Sequence, residues 1–113
     1  MSRSNTLLAA LPFPVDESLR RLGANLKTAR LRRNLSLEGV AGKIGASHRV
    51  IADAENGKPS TGVAIYAALL WVYGLLPQFD EVAVPERDRE GLTLSNLRGR
   101  ARARMGGGLD DDF

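Results

Sequence analysis

Ser36 and Ser47 each stand immediately ahead of a short helical run, and only Gly45, Ala46 and Ser47 separate the first run from the second. Leu37, Val40, Ala41 and Ile44 form the i, i+3, i+4, i+7 stripe of an amphipathic helix. A serine in front of such a stripe accepts a hydrogen bond from a first-turn amide, and a glycine just past it takes the left-handed conformation that ends a helix. The second run starts at His48, continues to about Glu55 and is closed by Asn56-Gly57-Lys58-Pro59. The sequence therefore predicts two short helices joined by a tight glycine-containing turn, with Ile51 and Ala54 facing inward.

The rest of the chain is read around this unit. Residues 1–15 look like a flexible arm, closed by Pro12 and Pro14. Asp16 stands where an N-cap would, ahead of Leu19, Leu22, Leu26 and Ala29, which predicts a helix from about Glu17 to Arg33. Gly23 inside it costs ~1 kcal/mol relative to alanine, and Asn34 is a plausible stop. Ser60 or Thr61 is placed to cap a further helix through about Tyr73, apolar nearly all round and so expected at the centre. A short helix from Leu76 to Val84 should follow, with Pro77 in its first turn and Pro85 as its stop. The folded domain is thus expected over 16–85. Residues 86–113 read as polar linker, a possible short strand at Leu92-Thr93-Leu94, and a tail too poor in apolar surface to order itself. The fold class is all-α, about five helices between two flexible ends.

Composition removes several classes of function. The chain has no cysteine and a single histidine, His48, so disulfides, thiolate chemistry and two-imidazole metal sites are excluded. The longest apolar run, Val63 to Leu76, is too short to span a bilayer, and the amino-terminal apolar stretch Leu7–Leu11 is too short for a signal-peptide core. A cytoplasmic protein with no membrane partner is expected. Ser36, Ser47 and Ser60 lack a suitably placed base, and Gly106-Gly107-Gly108 lacks the Lys-Ser/Thr ending of a phosphate loop. No enzyme and no cofactor are expected. Residues 1–58 carry ten Lys/Arg against five Asp/Glu, and residues 59–95 carry two against five. The basic half suits a polyanion, although such unevenness also occurs in proteins that bind none.

Taken together, Gly45-Ala46-Ser47-His48-Arg49-Val50-Ile51-Ala52-Asp53-Ala54-Glu55-Asn56-Gly57-Lys58 resembles the turn and recognition helix of the Xre/Cro-type helix-turn-helix family. Leu37, Val40, Ala41 and Ile44 match that family's preceding helix, though Leu37, Gly39 and Gly42 depart from its usual pattern. Including Gly74-Leu75-Leu76 and the Pro85 linker, the chain is further similar to HipB-type antitoxins, the DNA-binding partners of HipA-like serine/threonine kinase toxins. The resemblance implies a dimer that inserts the His48–Glu55 helix into the major groove of operator DNA. Arg49 is the best candidate base reader, since a guanidinium can bond guanine O6 and N7 together. His48 can donate to phosphate or base. Val50 can touch a thymine methyl or pack on the preceding helix, and Asp53 accepts from a cytosine amine or pairs with Arg49 one turn back. Ser47, Lys58 and Ser60 would position phosphates. The family also implies a semi-buried structural ion pair, Arg30 with Glu55, and a dimer interface at Trp71, Tyr73, Leu75, Leu76 and Phe79; the alternative for these five is the monomer's own core.

Three functions stay open at this level. The chain is the antitoxin of a HipBA-type module that represses its own operon, a free-standing Xre-family repressor, or a protein-interaction module with little DNA specificity. The tail is equally ambiguous. Arg98, Arg100, Arg102 and Arg104 can lie along phosphates, the Asp110-Asp111-Asp112-Phe113 end can be a linear motif that folds on a partner such as the toxin, or the whole is a solubilising extension.

Overall fold

Pro12, not Asp16, holds the N-cap position of the first long helix, without a side-chain hydrogen bond. In the computed structural model, which describes residues 6–106, a short helix α1 (Thr6–Ala9) precedes α2 (Phe13–Arg32). Helix therefore reaches into the segment expected to be a flexible arm. Pro14 sits in the first turn of α2, where its missing N–H leaves no bond unmade and its fixed φ suits the helix. Asp16 lies inside that first turn, at the positive end of the helix, and its carboxylate takes a hydrogen bond from Arg20 Nε at 3.0 Å. Asn34 stops the chain after α2 with φ of 55°.

Serine caps define the next two helices. Ser36 Oγ accepts from the Gly39 amide at 2.9 Å and opens α3 (Leu37–Ile44). Gly45, at φ 74°, closes it. Ser47 Oγ accepts from the Val50 amide at 3.3 Å and opens α4 (His48–Glu55). Neither Ser60 nor Thr61 caps α5 (Val63–Val72); Gly62 holds the cap position in extended conformation. The helix expected over 76–84 is a single turn, α6 (Leu76–Phe79), because Ala83 takes φ of 59° and the intervening chain turns.

Leu26, Val40, Ile51 and Leu69 are the large side chains fully out of water, one from each of α2, α3, α4 and α5. Around them close Ala29, Ala41, Ala54, Tyr66, Leu70 and Tyr73. α2 packs on α4, α3 on α4 and α5, and α5 on α4 and α6. This compact unit ends at Phe79, ahead of Pro85, where the sequence placed the boundary.

From Asp80 onward the chain forms a separate unit. A 3-10 turn (Pro85–Arg87) leads into α7 (Arg89–Gly106), which packs against that turn. The expected strand at Leu92–Leu94 and the expected disorder are thus replaced by helix through Gly106. Asp88 is the reason at the near end: its carboxylate accepts from the Gly91 amide at 3.0 Å. Leu, Arg, Ala and Met, which dominate the segment, are also strong helix formers that need no burial to favour the state. The Asp110–Phe113 end lies outside the described residues.

Gly23 is the position whose role the sequence conceals. A Cβ there would stand 2.5 Å from both the Ala54 and Glu55 carbonyl oxygens. It is glycine because α2 and the end of α4 touch through backbone. Gly42, by contrast, faces open space in the middle of α3. Gly23→Ala is expected to destabilise the fold by about 1–3 kcal/mol through forced separation of the two helices. Gly42→Ala should stabilise it by about 0.5–1 kcal/mol. Urea unfolding of the two variants checks the contrast, which helix propensity alone does not produce.

Candidate nucleic-acid interface

The two ends of α4 differ in kind. At its amino-terminal end Ser47, His48 and Arg49 are exposed, Val50 is half-buried, and Ile51 is fully buried. Ala52 and Asp53 are half-buried, while Ala54 and Glu55 are buried. The first turn therefore projects two donors into solvent from amides that a serine has already ordered. The free N–H groups and the helix dipole make this end attractive to phosphate as well.

Asp53 does not pair with Arg49. Its Oδ2 lies 3.5 Å from Lys58 Nζ. The chain reverses at Gly57, at φ 76°, and the Lys58 amide donates to the Asp53 carbonyl at 3.0 Å, which brings the lysine back over the last turn. Among the described residues Arg49 consequently has no carboxylate partner and keeps its donors for a ligand. Lys58 is the one already engaged, although an exposed pair of this length contributes at most about 1 kcal/mol and opens readily.

Val50, Asp53, Lys58 and Ser60 line one shallow depression, together with Thr61 and Gly62. Thr61 is the lining residue that sequence reasoning passed over as a contact. Its Oγ1 is buried with no hydrogen-bond partner among the described residues. The signal was available: Thr61 adjoins Ser60 at the entry to α5, and there a hydroxyl not used as a cap is left without work.

Arg30 and Glu55 form the clamp behind this surface. Arg30 Nε donates to Glu55 Oε2 at 2.7 Å and Nη2 donates to Oε1 at 3.1 Å, while Nη1 donates to the Leu35 carbonyl at 2.9 Å. Both residues are buried. The bond to Glu55 raises the Arg30 pKa above its ordinary value against the opposing effect of burial. Tyr73 lies close by with its hydroxyl unpartnered among the described residues. Burial first, and the Glu55 charge second, push its pKa up. Arg33 stacks over the Tyr73 ring at 5.6 Å.

The five residues expected at a dimer interface divide. Tyr73 is 3% exposed and packs in the chain's own core, the alternative named for these five. Leu75, Leu76 and Phe79 are partly buried against the same core. Trp71 alone is largely exposed, at 62%.

Removing one member of the buried pair should be costly because the other is left charged and out of water. Arg30→Met is expected to lose about 3–5 kcal/mol, and Arg30→Met with Glu55→Leu to recover most of it. Chemical denaturation of the two variants measures both.

No curated protein and no solved structure matches the chain. Among the described residues no helix is long and apolar enough to cross a membrane. The model of the helix-turn-helix domain matches residues 21–82, more than half of the sequence and the whole of the arrangement from within α2 to beyond α6. The chain belongs to the helix-turn-helix domain family of DNA-binding regulators, and α3 and α4 lie within the matched residues.

Proposed function

We propose that this protein is a sequence-specific transcriptional repressor that binds operator DNA as a homodimer in the cytoplasm, and that it serves as the antitoxin of a HipBA-type module. The observation that carries the DNA half is the exposed His48–Arg49 end of α4, capped by Ser47 and anchored behind by Arg30–Glu55. A helix about 10–12 Å across enters a major groove about 12 Å wide. Arg49 then reads guanine, His48 donates to base or phosphate, and Ser47, Lys58 and Ser60 hold the backbone. Repression follows from occupancy alone, and no residue is assigned to catalysis.

Trp71 supports the dimer. An indole left 62% exposed beside the buried Leu69, Leu70 and Tyr73 is a natural anchor for a second copy. Two-fold pairing would match operator half-sites about 34 Å apart. The antitoxin half rests on the resemblance at Gly74-Leu75-Leu76 and the Pro85 segment, so its partner is a HipA-like kinase.

Titration against the protein's own promoter fragment and a scrambled duplex tests the DNA reading. The promoter should win by about 10³ or more, and Arg49→Ala should remove most of that margin. Equal, weak binding to both duplexes would put a protein-interaction module in its place. In sedimentation at micromolar concentration the protein should run at twice its 12.2 kDa chain mass, and Trp71→Glu at the chain mass. The toxin partner is tested by co-expression with a HipA-like kinase. Rescue of growth and co-purification are expected; their absence leaves a free-standing repressor.

A further inference from the structure

Four arginines occupy every second position from Arg98 to Arg104, and α7 converts this run into a specific shape. At 3.6 residues per turn, Arg98 and Arg102 fall on one flank of the helix, and Arg100 and Arg104 on the other. Within each flank the two Cα atoms are about 6 Å apart along the axis. All four are exposed. Between the flanks, one side carries Leu92, Ser95, Asn96, Gly99 and Ala103, and the opposite side Leu94, Leu97, Ala101 and Met105. Leu94 is 50% exposed and Met105 86%.

We propose that α7 is a second DNA-binding element, which lies in a groove of the duplex and bonds the phosphates of both walls without reading sequence. The inference rests on the DNA-binding reading above. Alongside the arginines the Gly99 side carries only Asn96, Gly99 and Ala103, which lets the helix axis approach the groove floor there, and the flanks then point toward opposite strands. Arg98 with Arg102, and Arg100 with Arg104, are like charges at i, i+4 spacing, which weakens the helix in isolation. A polyanion on each side turns that repulsion into attraction.

Other occupants fit less well. A helix that lies on a membrane gathers its apolar residues into one broad face opposite its charges. Here the apolar strip is four residues wide, one of them alanine, and Leu92 falls on the other side of the helix. A second copy of α7 would set arginines against arginines along the whole contact.

The experiment uses the full chain. Affinity for the promoter fragment and for the scrambled duplex is measured between 50 and 300 mM salt in three forms: the native protein, the variant with all four arginines changed to glutamine, and the variant with all four changed to lysine. Each phosphate contact contributes about 0.9 to the slope of log K against log salt. The glutamine variant should lose about 3.6 units of slope and weaken on both duplexes alike, leaving their ratio unchanged. The lysine variant should keep the slope, which shows that charge and not folding is being read. A glutamine variant within one unit of the native slope overturns the inference and leaves the Arg49 reading standing. Sedimentation of the native protein, but not of the glutamine variant, with phosphatidylglycerol vesicles alongside an unchanged duplex slope overturns it in favour of a lipid surface. Failure of the native protein to bind either duplex at 50 mM salt removes both readings together.

Discussion

The contact between Arg30 and Glu55 decides where α4 points. A guanidinium and a carboxylate taken out of water together are at best a weak source of net stability, since desolvation opposes their attraction. What such a pair supplies is uniqueness. Arg30 donates to both Glu55 oxygens and to the Leu35 carbonyl, so one side chain fixes the end of α4, the α2–α3 turn and its own helix in one geometry. Gly23 adds the backbone half of the same joint by letting α2 meet the Ala54 and Glu55 carbonyls directly. An apolar residue at 30 would fill the space but could slide. The paired version cannot shift without leaving a charge buried, and a helix proposed to read bases needs that intolerance.

The same joint resolves an electrostatic problem in α4. Asp53 and Glu55 both lie in its last turn, where the helix dipole disfavours negative charge, and the helix has no basic residue there. Each carboxylate is answered from outside the helix, Glu55 by Arg30 and Asp53 by Lys58. With those charges compensated, the exposed end presents His48, Arg49 and the positive pole of the dipole to solvent. The helix is polarised along its length, anchored at its acidic end and open at its basic one. That is the orientation an approaching phosphate backbone favours.

Much of this was legible in the sequence, and the failures have physical causes. The serine caps and Gly45 are local signals, complete within four residues, so the bounds of α3 and α4 could be read directly. Gly23 looked like a propensity defect because its reason, two carbonyls of α4, lies some thirty residues away in sequence. The i, i+4 spacing offers Arg49 as one of two partners for Asp53, but the reversal at Gly57 delivers Lys58 to the same carboxylate from beyond the helix. Asp16 looked like a cap because acids favour both the cap and the first turn, and Pro14 sets the register that decides between them. The carboxy-terminal segment was judged by how little it could bury. Its helix is instead local, begun by Asp88 and carried by propensity.

Proximity in sequence also misleads when it is taken for proximity on a surface. Trp71 and Tyr73 looked like members of one patch. Two residues along an α-helix turn the side chain by about 200°. Once the Tyr73 ring enters the core beneath Arg33, Trp71 is turned away from it, and the expected interface separates into a core residue and an exposed one. The same rotation acts on the arginines of α7. An extended chain with arginine at every second position would show them all on one side, as a single strip for a single line of phosphates. Wound into a helix, they form two flanks with Asn96, Gly99 and Ala103 between. Helix formation there does more than order a tail: it changes what shape of polyanion the four charges complement, from one strand to the two walls of a groove.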